Sequence, residues 1–175
     1  SVVQAKLKAV KAMCFDVSAA WSGFITALDI AASMLKAGSY KYALVIGSEK
    51  MSEIVNWKDR SVCVIFGDGA GAVVLKAVDN NTEDVTGASA GQERGIIDSN
   101  IYNDGTGASV LTGGRRFSDS RSTDIFIHMD GQEVFKFAVK SVPTAIETLL
   151  HNNNMNVNDV DKFILHQANV RIIES

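Results

Sequence analysis

Histidine, hydroxyl and thiol groups are the side chains that attack carbonyls or move protons near neutral pH, so their settings come first. His166 follows the apolar run Phe163-Ile164-Leu165, which reads as a strand, and opens the segment His166-Gln167-Ala168-Asn169. Strand ends in open α/β sheets are where ligands bind, which makes His166 a candidate donor; on spacing alone a structural histidine fits equally well. A second setting is the turn from Ser18 to Gly23, between the apolar run Met13 to Val17 and a helical pattern. A helix start stabilises anions and thiolates, and here it holds Trp21 and Ser22. Gly67-Asp68-Gly69-Ala70-Gly71-Ala72 lacks the Lys-Ser/Thr of a phosphate loop, so tight strand packing is the better reading of its glycines. Cys14 and Cys63 sit in apolar runs and read as buried, reduced thiols that resist alkylation. With only His128, His151 and His166 as histidines, no metal-binding spacing is present.

The elements that must position these groups follow from periodicity. Met13 to Val17 reads as a strand, followed by a buried helix through Phe24, Ala27, Leu28, Ala31, Met34 and Leu35 up to Gly38. Tyr42 to Ile46 is a second continuous apolar run, and its spacing from the first fits a parallel strand-helix-strand unit. Val62 to Phe66 and Ala72 to Lys76 read as strands flanking the glycine-dense segment. The polar run Asp79 to Asp84 marks a boundary, and Ala88 to Phe117 is Gly-rich and irregular. Ile125 to His128 resumes a strand. Asp130-Gly131-Gln132-Glu133 then supplies an N-cap with Glu three residues on, ahead of a face of Val134, Phe137, Ala138, Val142, Ala145, Ile146 and Leu149. Pro143 is expected to kink that helix, and Asn152-Asn153-Asn154 to end it. Arg60, Arg115 and Arg116 read as solvated charges by default.

Composition excludes several classes. The 175 residues are 46% hydrophobic and 21% charged, the balance of a folded globular chain rather than of disorder or a coiled coil. With 17 Lys and Arg against 20 Asp and Glu, the net charge of -3 offers no general field for nucleic acid or an anionic membrane. Asp29, Thr26 and Gly23 interrupt the longest weakly charged stretch, which argues against a membrane span, and the Lys-bearing start has no signal-peptide core. A cytoplasmic protein is expected.

Six segments, taken in order, resemble ketoacyl-acyl-carrier-protein synthase III, of the thiolase-fold condensing enzymes. They are Phe15-Asp16-Val17-Ser18-Ala19-Ala20, Tyr42 to Ser48, Asp59-Arg60, Phe66 to Ala72, Met129 to Lys136, and His166 to Asn169 with Arg171-Ile172. The resemblance spans nearly the whole chain and corresponds to the middle of a family member. It implies an α/β, thiolase-like layered fold, partial, with residues 1–79 as the end of the first half and 80–175 as the start of the second. It also implies a start to fatty-acid synthesis: acyl transfer from acyl-CoA to an enzyme cysteine, then decarboxylative condensation with malonyl-acyl carrier protein. Acyl-CoA and acyl carrier protein are then substrate and partner, no further cofactor or metal is needed, and the intact enzyme is a homodimer. By the same resemblance His166 donates a hydrogen bond to the malonyl thioester carbonyl. Arg60, Gly131, Phe135 and Asn169 line the entrance for CoA or the pantetheine arm, with Arg60 at the nucleotide end and Asn169 on the pantetheine.

Trp21 stands where the family has its nucleophilic cysteine, and an indole has a donor N–H but no usable nucleophile. The family's catalytic asparagine and glycine-rich oxyanion segment would follow Ser175. The resemblance therefore predicts a chain that does not condense. Two alternatives share the motifs: a non-catalytic acyl-CoA or carrier-protein binder in which Trp21 plugs the acyl tunnel, and a related thiolase-fold acyltransferase.

Overall fold

The computed structural model describes residues 2–78, 95–113 and 125–175. These residues form two compact units. One runs up to Gly47 and resumes at Ala70; the other comprises Ser48–Gly69 and the described residues from Gly95 onward. The boundary expected after residue 79, the polar run behind it, and Arg115 and Arg116 lie outside the described residues.

The first unit contains α1 (Val2–Lys6), α2 (Gly23–Lys36) and most of β1 (Tyr42–Glu49) and β2 (Gly69–Lys76). Helix α2 forms where the periodicity places it, buries Ala32 and Leu35, and stops as expected. Gly38 takes a left-handed φ of 77° that glycine adopts without a Cβ clash, and its N–H donates to the Leu35 carbonyl at 3.0 Å. Strand β1 covers the Tyr42 to Ile46 run, with Val45 only 4% exposed. Its Gly47 is a true close approach, since a Cβ there would stand 3.3 Å from Phe24 Cδ2.

Strand β1 pairs with β2, and the Ala77 N–H donates to the Lys41 carbonyl at 2.9 Å. The end of β2 thus meets the start of β1, as an antiparallel pair requires. The parallel unit expected of Met13 to Val17 with Tyr42 to Ile46 is corrected on separate grounds: Met13 to Val17 joins no ladder among the described residues, and Met13 and Phe15 are exposed. A strand needs a partner for its N–H and C=O groups as well as apolar side chains, and periodicity reports only the second requirement. The same holds for Phe163 to Leu165, which is no strand here and leaves Ile164 88% exposed.

The second unit contains β3 (Leu111–Thr112), β4 (His128–Met129), α3 (Gly131–Asn152) and α4 (Val170–Ile173). Its core is Met51, Val55, Val62 and Ile127, with Ile54, Cys63, Phe66 and Leu111 packed around them. The Ile127 N–H donates to the Ile54 carbonyl at 2.8 Å, and β3 and β4 pair antiparallel with Leu111 opposite Met129. The strand expected over Val62 to Phe66 is instead a run of turns. The Asp59 carbonyl accepts the Val62 and Cys63 N–H groups, because the Asp59 carboxylate takes the Ser61 N–H at 2.9 Å and hydroxyl at 2.6 Å and bends the chain.

The glycine-dense segment is corrected as well. A Cβ at Gly67, Gly69 or Gly71 would meet nothing within 4 Å, so close packing is not their role in the described chain. Asp68 makes the specific contacts, accepting the Ser52 N–H at 2.8 Å and the Ser52 hydroxyl at 2.7 Å. It thereby holds the short 3-10 turn Met51–Glu53, which delivers Met51 to the core.

Helix α3 starts as the sequence indicates, with Asp130 accepting the Gln132 and Glu133 N–H groups. It runs on through Pro143 and ends at Asn152, after which Asn154 takes a left-handed φ of 54°. Its half-buried side includes Val134, Phe135, Ala138, Val139, Ala145, Ile146 and Leu149, while Phe137 and Val142, expected to be covered, are exposed. No helix among the described residues is long and apolar enough to cross a membrane.

Two predictions follow from these contacts. The Ser52 N–H, followed by its hydroxyl, holds the Asp68 carboxyl below the usual carboxylate range. A depressed folded pKa stabilises fully above the unfolded value and is lost as pH falls through the folded one. Protonation below about pH 4 should therefore loosen the Met51–Glu53 turn. The Trp57 indole, which donates to the Ser52 carbonyl at 3.3 Å, reports this in fluorescence, and Asp68→Asn should remove the acid transition while loosening the turn at neutral pH. Separately, Gly47→Val should cost about 1–3 kcal/mol in urea unfolding through overpacking on Phe24, whereas Gly67→Ala should stay within about 0.5 kcal/mol.

Candidate functional site

In the first unit, the turn ahead of α2 is built by an uncommon backbone. Ala20 has a φ of 45°, a left-handed conformation that costs a non-glycine residue about 1–2 kcal/mol. It opens the single 3-10 turn Ala20–Ser22, which carries Trp21 and runs directly into Gly23, the first residue of α2. Ser22 precedes the helix without capping it: its hydroxyl donates back to the Ala19 carbonyl at 2.7 Å. Residue 21 is thus presented immediately before a 14-residue helix, and the Trp21 side chain is 41% exposed. The strand expected to lead into this turn is absent as a ladder element, but the turn itself is where the sequence placed it.

The second unit holds Arg60, Gly131, Phe135, His166 and Asn169. An open cavity of about 630 Å³ lies where the turn after Asp59 meets the start of α3; its lining includes Asp59, Ser109, His128, Asp130, Gly131 and Gln132. Gly131 therefore lines the cavity, exposed Arg60 follows a lining residue directly, and half-buried Phe135 stands about one turn further along α3. His166 and Asn169 do not belong to that lining. His166 is exposed, and it does not sit at the end of a strand, which corrects the expected delivery. Asn169 is the N-cap of α4, its Oδ1 accepting the Arg171 N–H at 3.0 Å, so its side-chain amide N–H groups are the part left to donate outward.

Asp59 and His128 line the cavity, although the sequence assigned neither a role there. Asp59 carries a carboxyl held below its usual range, first by the Ser61 hydroxyl and then by the Ser61 N–H, with a smaller contribution from His128 across the cavity. The Asp-x-Ser spacing was the available signal. His128 was read only as the end of a strand, and nothing in its spacing marked a cavity. Cys14 precedes the Trp21 turn within the first unit, and Cys63 belongs to the second. Their expected burial is also corrected, since Cys14 is exposed and Cys63 half-buried. An apolar run covers its side chains only when something packs on it, and Met13 to Val17 is largely uncovered. No group of residues able to hold a metal ion occurs among the described residues.

With that geometry in place, comparison with known proteins is direct. The family described as 3-oxoacyl-[acyl-carrier-protein (ACP)] synthase III matches residues 15–95. Beta-ketoacyl-[acyl-carrier-protein] synthase III of Wolbachia sp. subsp. Brugia malayi is 48% identical over all of this chain and 52% of its own length. The protein of that name from Clostridium acetobutylicum is 42% identical over 99% of this chain and 51% of its own. Among solved structures, 3-oxoacyl-[acyl-carrier-protein] synthase III from Aquifex aeolicus VF5 superposes with a TM-score of 0.83 at 43% identity, over 99% of this chain and 50% of that one. The Thermus thermophilus enzyme gives a TM-score of 0.78 at 34% identity. The chain spans about half the length of these relatives, and its fold is the corresponding part of the thiolase-like α/β fold.

The thiols supply the prediction here. Iodoacetamide at neutral pH should alkylate Cys14 readily and Cys63 much more slowly, because Cys63 packs against the Met51, Val55, Val62 and Ile127 cluster. Peptide mass mapping over time measures both; equal rates would contradict the packing of Cys63.

Proposed function

We propose that this chain, which resembles the ketoacyl-acyl-carrier-protein synthase III family in sequence and fold along its length, is part of such an enzyme and retains the family's substrate entrance without its nucleophile. The observation that carries the reading is identity of 48% over the whole chain to a protein named beta-ketoacyl-[acyl-carrier-protein] synthase III. In this reading residues 1–79 are the end of the first thiolase-like half and 80–175 the start of the second. The substrates are acyl-CoA and malonyl-acyl carrier protein, the reaction is the decarboxylative condensation that starts fatty-acid synthesis, and the intact enzyme is a cytoplasmic homodimer needing no further cofactor.

The chemistry assigns each residue a part. Arg60 is a fixed positive charge on an exposed turn, suited to the phosphates of a CoA nucleotide. Gly131 leaves the start of α3 open to an incoming arm, and Phe135 offers an aromatic surface one turn on. Asn169 retains amide donors for a pantetheine carbonyl, and His166 is the donor for the thioester oxygen as the enolate develops. The nucleophile's place, just ahead of α2, suits a thiolate, because the helix start favours negative charge. Trp21 fills it with an indole that cannot attack a thioester.

That substitution favours a second reading from another class, a binder of acyl-CoA or carrier protein without turnover. One experiment bears on both. Incubated with acetyl-CoA and analysed by intact mass, the unaltered chain should carry no acetyl adduct, and Trp21→Cys should acquire one on residue 21. An adduct on the unaltered chain would overturn the assignment of position 21, and no ketoacyl product should form from the unaltered chain with malonyl-acyl carrier protein. Saturable binding of CoA by the unaltered chain, without adduct or product, supports the binder.

A further inference from the structure

Arg60 is exposed on a turn, a setting in which a long side chain loses considerable rotamer freedom on meeting a ligand. Its backbone, in contrast, is pinned from both sides. On one side Asp59 closes an Asx turn onto Ser61, taking its N–H at 2.9 Å and its hydroxyl at 2.6 Å, while the Asp59 carbonyl accepts the Val62 and Cys63 N–H groups. On the other side Val62 is 1% exposed in the core cluster. Upstream, Asn56 begins the turn: its side chain accepts the Lys58 N–H at 3.1 Å and its carbonyl the Asp59 N–H at 2.9 Å. Asp59 also lines the cavity that Gly131 lines, so the turn that aims Arg60 is set against the start of α3.

We propose that Asp59 is a positioning residue for Arg60: its Asx turn onto Ser61 fixes the backbone from which the guanidinium reaches the phosphates of a CoA nucleotide. This rests on the assignment of Arg60 proposed above. The contribution is preorganisation, because the turn is closed before the ligand arrives. Charge is not what Asp59 supplies, since a carboxylate beside a polyanion repels it. The required property is a short side-chain acceptor, which asparagine also has.

The test is a double-mutant cycle in the whole chain, read as the dissociation constants of CoA and of pantetheine by titration calorimetry. Asp59→Ala should weaken CoA by on the order of three- to tenfold, the effect of one or two lost hydrogen bonds, and leave pantetheine unchanged. In an Arg60→Ala background the same change should have no effect on CoA. Asp59→Asn should bind CoA as tightly as the parent or more tightly. Should Asp59→Ala fail to fold, Ser61→Ala, which removes only the hydroxyl arm, replaces it with an expected two- to threefold loss confined to CoA. Equal weakening by Asp59→Ala with and without Arg60, or equal weakening by Asp59→Asn and Asp59→Ala, overturns the proposal and leaves the assignment of Arg60 standing. An Arg60→Ala variant that binds CoA like the parent, or a parent that binds none, overturns that assignment and the proposal together.

Discussion

A carboxylate placed one or two residues ahead of an N–H group closes a turn with little loss of side-chain freedom, and the second unit relies on this contact at its bends. Asp59 turns the chain through Ser61 and sends Val62 into the core. Asp104 takes the Thr106 N–H at 2.9 Å and opens the short helical turn Gly105–Ser109, which leads into β3. Asp130 takes two N–H groups and starts α3 directly after β4. Asp68 works over a longer separation, tying the glycine-dense segment to the turn that carries Met51. Two of these carboxylates, Asp59 and Asp130, line the cavity together with Gly131, and Arg60 follows Asp59 directly. The small cluster of Met51, Val55, Val62 and Ile127 gives the unit its apolar anchor, but the carboxylates decide which residues reach it.

Much of the regular structure was legible because it depends on local sequence alone. Helix α2 needs only its apolar spacing and the glycine at position 38; helix α3 needs Asp130 at one end and the asparagines at the other. Strand β1 was legible as a continuous apolar run that finds a partner. Where the reading and the structure part, the missing quantity is a relation between segments. Met13 to Val17 and Phe163 to Leu165 have strand-like side chains and no ladder among the described residues. Val62 to Phe66 has them too, but three residues earlier Asp59 offers the backbone a better hydrogen-bonding alternative, and apolar counting does not see that competition.

The candidate site was legible in a different sense. Nothing in the physics of position 60 or 131 taken singly marks a binding residue, and the bare reading of Arg60 was a solvated charge. The order of six motifs along the chain supplied the assignment, and the structure then set Asp59, Arg60's immediate neighbour, and Gly131 around one cavity. Trp21 is the converse case. Its place is chemically meaningful because of the helix that follows and the left-handed Ala20 before it, and that geometry is independent of the side chain it carries. In the proposed reading, the turn with its unfavourable φ supplies the place for a nucleophile while the indole of Trp21 supplies none.

Much apolar surface stays uncovered among the described residues. On β1, Val45 and Gly47 turn toward α2, and alternation sends Tyr42, Leu44 and Ile46 to the other face, where they are 63%, 47% and 41% exposed. Val74 on β2 is 69% exposed. A continuous apolar run, rather than an alternating one, is the pattern of a strand covered on both faces. Here one face of β1 meets that requirement and the other does not. The exposed positions fall in runs whose composition calls for burial, as do Phe15 and Ile164 in the runs without ladders. The pattern of hydrophobicity along these segments therefore matches a two-sided layered sheet, the arrangement of the thiolase-like fold to which this chain corresponds over half the length of its relatives.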